Sequence, residues 1–293
     1  MMIDKNKKIL VVGLGLIGGS YAAALSRAGY EVGGIDRMES AVSYARKHGM
    51  IAHGMSEVIK EYVESFDIVV FALYPHVLLR WAEEYASYIK QGAFVTDVTG
   101  VKSGIVYRMQ TILGENAEFI GAHPMAGKEC GGVENASDSL FCGANYIVTP
   151  TKLNTKEGIL LCEELGRILG VGQISILSPE KHDEMIGFLS QLTHCIAVSL
   201  MTCKDSRHLA DYTGDSFRDL TRIAKINETM WSELFLMNKE ELLLQMDLFL
   251  SRFTELKCAL EQEDCEKLKQ MMRLSTERRS YFDKKEHNVK FGR

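Results

Sequence analysis

The 293-residue chain carries 34 Lys and Arg against 39 Asp and Glu, a net charge of −5, with 46% hydrophobic and 25% charged residues. These values fit a globular protein of about two domains, and the acidic balance gives no basic footprint for nucleic acid. Seven cysteines, odd in number, scattered and without C-x-x-C spacing, predict buried thiols rather than disulfides or zinc, and no H-E-x-x-H sequence suggests a catalytic metal.

The run Lys8 to Val12 predicts a short apolar strand that ends at Gly13, and a helical pattern from Tyr21 to Ala28 stands behind it. Gly13, Gly15 and Gly18 have G-x-G-x-x-G spacing, with Leu16 and Ile17 between the last two. In such a turn the first glycine permits the tight bend and the second lets backbone approach a pyrophosphate. The third lets the helix pack on its strand, and the helix N-terminus offers N–H groups to the phosphates. A second strand, Glu31 to Ile35, ends in Asp36, placed to bind ribose hydroxyls; Arg37 beside it is the residue type that accommodates a 2′-phosphate. Strand, glycines, helix, strand and acid in that order predict a dinucleotide site that prefers NAD to NADP. Lys5 to Lys8 before an apolar run mimics a secretion signal, but its removal would delete the first strand of this unit.

Strand and helix signals then alternate. Helices are predicted near Glu39 to His48, Ser56 to Glu64, Val77 to Ile89, Lys102 to Leu113 and Lys156 to Leu169. Strands are predicted at Ile51-Ala52, Ile68 to Leu73, Phe94 to Asp97, Phe119 to Ala122, Asn145 to Val148 and Gln173 to Ile176. This alternation predicts an α/β fold with a mostly parallel sheet covered on both faces, the last two strands being of undecided direction. At Ser178-Pro179 the character changes. Ser178 suits a helix cap and Pro179 its first turn. Helices are expected at Glu180 to Met201, Ser216 to Ile226, Thr229 to Met237, Lys239 to Glu261 and Cys265 to Tyr281, with a polar tail after Asp283. The expected domains are therefore residues 1–177, binding dinucleotide, and residues 178–293, all-helical. The helix from Lys239 is apolar on more than one side, as helices in bundles or oligomer interfaces are. No fully apolar span long enough for a bilayer is read, because Pro75 and His76 interrupt the Val69 to Leu79 run. The expected location is the cytoplasm, with no membrane or nucleic-acid partner.

In an open α/β sheet, ligands bind beyond the carboxyl ends of the strands. Leu73-Tyr74-Pro75, Asp97 to Lys102, and His123 to Glu129 follow such ends. His123, locked by Pro124, is the sharpest candidate for a base that accepts the proton of an alcohol losing hydride. The alternative is a histidine that only bonds its loop. Lys128-Glu129 is either a flap or solvated charge. His182 and His194 share one predicted helix twelve residues apart, which at regular pitch turns them roughly 120° from each other. At most one is then expected in a common pocket. Arg218 and Arg222 share a face, with Asp219 placed to orient Arg222, and either hold a carboxylate or form a solvated stripe.

Several segments together resemble the prephenate/arogenate dehydrogenase family, the NAD(P)-dependent enzymes of tyrosine biosynthesis. They are Gly13 to Ser20, Thr96-Asp97 through Val101-Lys102, Gly121-Ala-His-Pro-Met-Ala-Gly127, Ser178-Pro-Glu-Lys-His-Asp183 and Phe217-Arg-Asp-Leu-Thr-Arg-Ile-Ala224. The resemblance implies a Rossmann domain followed by a helical dimerisation domain, hence a homodimer, with a small-molecule substrate, prephenate or arogenate. It implies that His123 accepts the ring-hydroxyl proton, that Arg222 oriented by Asp219 binds a substrate carboxylate, and that His194 lines the pocket. The cofactor would lie on Gly13, Gly15, Leu16, Ile17, Gly18, Asp36 and Arg37, with Leu73, Tyr74 and Pro75 at its nicotinamide end. One departure stands out: Gly100 replaces a serine found in many members, leaving Thr99 or Ser103 as the hydroxyls that could serve the substrate in its place. Other readings are a dehydrogenase of the β-hydroxyacid type and a non-catalytic dinucleotide-binding regulator.

Overall fold

The computed structural model describes residues 3–128, 130–205 and 207–283. Glu129 of the candidate flap and the tail from residue 284 lie outside them. By contacts the chain divides into two compact units, Met1–Leu242 and Leu243–Arg293.

The first unit opens with β1 (Lys8–Val12), α1 (Leu16–Arg27), β2 (Glu31–Ile35), α2 (Glu39–Lys47), β3 (His53–Met55) and α3 (Lys60–Val63). It continues with β4 (Ile68–Phe71), α4 (Pro75–Tyr85), β5 (Ala93–Asp97), α5 (Ser103–Leu113), β6 (Ala117–Pro124), β7 (Asn145–Thr149), α6 (Lys156–Ile168) and β8 (Gln173–Ile176). The eight strands form one sheet in the order β3-β2-β1-β4-β5-β6-β7-β8. The order reverses beside β1, which pairs in parallel with β2 on one side and β4 on the other, creating a crevice beyond their carboxyl ends.

Both faces of the sheet are covered, so the runs Ile9 to Val12 of β1 and Ile68 to Phe71 of β4 are apolar at consecutive positions rather than alternately. Ile9 and Val11 pack into the cluster that holds Tyr21, Leu25, Val42 and Leu165; Leu10 and Val12 pack into the one that holds Phe71, Trp81, Ile105 and Met109. The undecided strand directions resolve as antiparallel for β7 against β6 and parallel for β8 against β7. β6 changes partner midway. Ala117 to Ile120 pair with β5, and Gly121 to Pro124 pair with β7. A side chain at Gly121 would meet Thr149 Oγ1 at 2.5 Å, so the crossing point requires glycine. This carries His123 past the end of β5.

Beyond β8 the described residues form helices and turns. They are α7 (Pro179–Ile186), a π-helical segment (Gly187–Leu192), α8 (Thr193–Thr202), α9 (Asp215–Thr221), a 3₁₀ turn (Arg222–Ala224) and α10 (Glu228–Met237). Ser178 caps α7 by accepting the Lys181 N–H at 3.2 Å, and Pro179 stands in its first turn. The second unit holds α11 (Lys239–Glu261), which crosses the boundary between the units, and α12 (Cys265–Ser280).

Two expectations are corrected. The cysteines are free, but Cys162 is the buried one, and Cys130, Cys142, Cys203, Cys258 and Cys265 are exposed. The continuous helical run Pro179–Thr202 is long and apolar enough to cross a bilayer by length and composition. It carries buried His182, Asp183 and Gln191, each hydrogen-bonded to another element.

Candidate active site

The glycine turn shows three separate reasons for glycine. Gly13 has φ +94°, and a side chain there would meet Ala72 O at 2.4 Å; one at Gly18 would meet Gly13 O at 1.8 Å. At Gly15 nothing lies within 4 Å, so the space over its backbone is open. No side chain caps α1, whose N-terminus begins at Leu16 and Ile17. The Asp36 carboxylate is fixed at the turn by the N–H groups of Leu14 at 2.7 Å and Met38 at 2.8 Å. Arg37 is exposed beside it, Leu73 borders Gly13, Tyr74 is exposed, and Pro75 is buried at the start of α4. An open glycine, an uncapped helix end and an anchored acid fit a dinucleotide.

Next to this crevice lies a buried polar network. Asp97, at the end of β5, accepts Lys102 Nζ at 2.7 Å, and both side chains are fully buried. Burial pulls the Lys102 ammonium below its ordinary range, and Asp97 opposes that shift. Thr99 donates its hydroxyl to Asp97 and lies 2.8 Å from Val101 O, while its oxygen accepts Lys102 Nζ at 3.2 Å. Thr99 is 4% exposed. Its hydroxyl is engaged in holding the Asp97–Lys102 pair.

His123 Nδ1 lies 2.9 Å from His182 Nε2, and His182 Nδ1 lies 2.7 Å from Asp183 Oδ1. Asp183 in turn accepts the backbone N–H groups of Lys102 and Ser103, each at 2.8 Å, and so caps α5 from α7. The side chain at the cap position itself, Lys102, makes no such bond. Burial first, then the nearby His182 and Lys102, hold the His123 imidazole well below the usual histidine range. Burial also lowers His182, against the opposing pull of Asp183. Burial pushes the Asp183 carboxyl up, but its bonds to His182 and Ser103 outweigh that and leave it below the ordinary carboxylate range. At neutral pH these directions favour a carboxylate on Asp183 and neutral imidazoles on His123 and His182.

Sequence reasoning gave His182 no site role, because one helix at regular pitch could not serve both histidines. The π-helical segment Gly187–Leu192 lies between them. An i→i+5 turn winds fewer degrees per residue than an α-turn, which takes back part of the offset. His194 stacks on Trp231 of α10 with ring centroids 3.7 Å apart. Three residues on, Leu234 lies 3.5 Å from where a side chain at Gly100 would begin. Neighbouring positions on α10 thus lie against His194 and the Gly100 turn between β5 and α5. Arg222 and Asp219 are exposed, Asp219 on α9 and Arg222 on the 3₁₀ turn, and both elements pack against α8. Arg218 is committed elsewhere, to Asp215 and to Thr213 O, each at 3.0 Å. Three polar contacts link Tyr74 and His76 to α10 and its cap: Asn227 Nδ2 donates to Tyr74 Oη at 3.3 Å, and Glu233 takes the His76 backbone N–H at 2.5 Å and pairs with its Nδ1 at 2.7 Å.

Comparisons with known proteins show the family of the chain. The family model for the prephenate dehydrogenase nucleotide-binding domain matches residues 21–175, beginning just after the glycine turn. The model for the prephenate dehydrogenase dimerization domain matches residues 178–274. Prephenate dehydrogenase of Bacillus subtilis is 32% identical over 276 residues, covering 91% of this chain and 74% of that protein. The enzyme of the same name from Lactococcus lactis is 33% identical over 270 residues, covering 88% and 72%. The crystal structure of prephenate dehydrogenase from Aquifex aeolicus, in complex with hydroxyphenyl propionate and NAD+, superposes with a TM-score of 0.87 at 32% identity. That match covers 94% of this chain and 98% of that one.

Proposed function

The chain belongs to the prephenate dehydrogenase family, and we propose that it carries out the NAD-dependent oxidative decarboxylation of prephenate to 4-hydroxyphenylpyruvate in tyrosine biosynthesis. The observation that carries this reading is a half-buried His123 past the end of β5, hydrogen-bonded to His182 of α7, in a chain that carries the dinucleotide turn and matches both domain models of that family.

Gly13, Gly15, Leu16, Ile17 and Gly18 hold the pyrophosphate, Asp36 the adenosine ribose with Arg37 beside it, and Leu73, Tyr74 and Pro75 the nicotinamide side. NAD, when bound, supplies the hydride acceptor. His123 takes the proton of the ring hydroxyl, and Arg222, oriented by Asp219, binds a substrate carboxylate while His194 lines the pocket. The ring carboxylate leaves as carbon dioxide, and aromatisation makes the step effectively irreversible. Residues 1–177 form the dinucleotide-binding domain and residues 178–293 the helical domain, through which two copies form a homodimer in the cytoplasm.

The test is nicotinamide reduction followed at saturating prephenate or arogenate, each with NAD and with NADP. Turnover of prephenate with NAD is expected, with lower kcat/KM for NADP because Asp36 repels a 2′-phosphate. Turnover of arogenate alone would move the activity to that substrate. Bound NAD with turnover of neither would make the chain a dinucleotide-binding regulator.

A further inference from the structure

With Asp183 ionised and both imidazoles neutral, the chain His123–His182–Asp183 has one consistent arrangement of protons. Asp183 is ionised and accepts two backbone N–H groups, so the contact at 2.7 Å requires a proton on His182 Nδ1. A neutral His182 then has a lone pair on Nε2, and the 2.9 Å contact requires a proton on His123 Nδ1. The remaining nitrogen of His123, Nε2, is left with its lone pair. Sequence neighbours offer no substitute. A side chain at Gly100 would begin 3.9 Å from His123 Cε1, but glycine provides no hydroxyl there. Thr99 is engaged with Asp97 and Val101, and Ser103 is bonded to Asp183 through its N–H and its side chain.

We infer that His182, anchored by Asp183, is the positioning residue of the proton acceptor: it fixes the tautomer that leaves His123 Nε2 unprotonated and shares the charge once that nitrogen is protonated. This rests on the role proposed above for His123. The hydroxyl proton goes to His123 Nε2, and the Nδ1 proton is then shared with His182 Nε2. The positive charge so spreads toward the Asp183 carboxylate, which itself stays unprotonated. The groups that face the pair are Lys102, whose charge opposes protonation of both imidazoles, and Asp97, which favours it at His182. A purely structural pair would cap α5 and fill the space equally well but would not govern which nitrogen of His123 carries its proton.

Two measurements decide. Nitrogen-15 NMR of histidine-labelled, unmodified protein at neutral pH, with His123→Asn and His182→Gln to assign the signals, should show both imidazoles protonated at Nδ1 and bare at Nε2. In kinetics, His182→Leu should lower kcat about 100-fold, within the range of a positioned base, with KM and NAD affinity unchanged. His182→Gln, whose amide oxygen still accepts from His123 Nδ1–H but cannot share the charge, should recover part of that loss. A His123 protonated at Nε2, or a folded His182→Leu with normal kcat, overturns the inference. The NMR result needs no turnover, so failure of the unmodified enzyme to use prephenate or arogenate would strike the functional reading alone.

Discussion

His123 was legible because a histidine followed by proline after a strand is a recognisable local feature, and His182 was not, because its significance lies in a contact 59 positions away. The same holds for Lys102, which in sequence is an ordinary charged residue before a helix and in the fold is a fully buried partner of Asp97. Thr99 likewise gains its partners from the fold: its hydroxyl is turned into the network around Asp97 and Lys102. The proposed base is tested by His123→Asn, which should keep fold and NAD affinity while lowering kcat by roughly 10²- to 10⁴-fold. Because burial holds His123 well below the usual histidine value, the unmodified enzyme should keep a flat kcat from neutral pH through about 6.5 and lose it only in more acidic solution. Stability should follow the same sign. Both site imidazoles are depressed in the folded state, so below about pH 6.5 the unfolded chain binds protons that the folded one refuses. Stability is then full above that pH and declines as pH falls toward the folded values. A thermal midpoint unchanged between pH 7.5 and pH 5.5, or a kcat that titrates at 6.5, would contradict this reading.

At the scale of elements, apolar run length, cap residues and turn glycines located most strands and helices, because those signals are local. What they did not carry is pairing. The split of β6 between a parallel and an antiparallel neighbour depends on contacts with β7, and it is what moves His123 beyond β5. The third strand, expected at Ile51-Ala52, lies at His53–Met55, where it pairs with Gly33 to Ile35, and the helix expected from Ser56 shrinks to Lys60–Val63. The helix expected from Ser216 to Ile226 also shortens, ending at Thr221 with Arg222 on a 3₁₀ turn. That shift changes the comparison of the two arginines. Arg218 has its guanidinium on Asp215 and Thr213 O, while Arg222 stands on a turn packed against the helix that carries His194. Arg222→Ala should raise KM for the substrate roughly 10- to 100-fold, the effect of losing about 1.5–3 kcal/mol from a charged hydrogen bond. NAD affinity should stay constant. Arg222→Lys should recover only part, since an ammonium cannot form the fork, and Arg218→Ala should do less. Equal weakening of NAD and substrate would make Arg222 structural.

For the whole molecule, the alternation of strands and helices followed by helices alone conveyed the class of fold, and the apolar excess of α11 conveyed that it needs a cover. In the second unit Leu244 is 53% exposed, Leu248 58% and Phe253 59%. Composition could not say what covers them, because a bundle and a dimer bury the same kind of helix. The match of residues 178–274 to a dimerization domain favours a second copy. Leu244 and Leu248 are four residues apart on one helix and stack on one face. In a two-fold dimer the same patch serves both subunits, so a change in one residue is felt twice. Replacing both with Glu therefore affects four side chains. At about 1.5–3 kcal/mol for each buried leucine, the loss is at least about 6 kcal/mol, or roughly 10⁴-fold in Kd. The unmodified protein should scatter light as a dimer at micromolar concentration, and the Leu244→Glu, Leu248→Glu variant as a monomer with unchanged helical circular dichroism. An unmodified protein that is monomeric at those concentrations, or a double variant that remains a dimer, would place the contact elsewhere than on this face of α11.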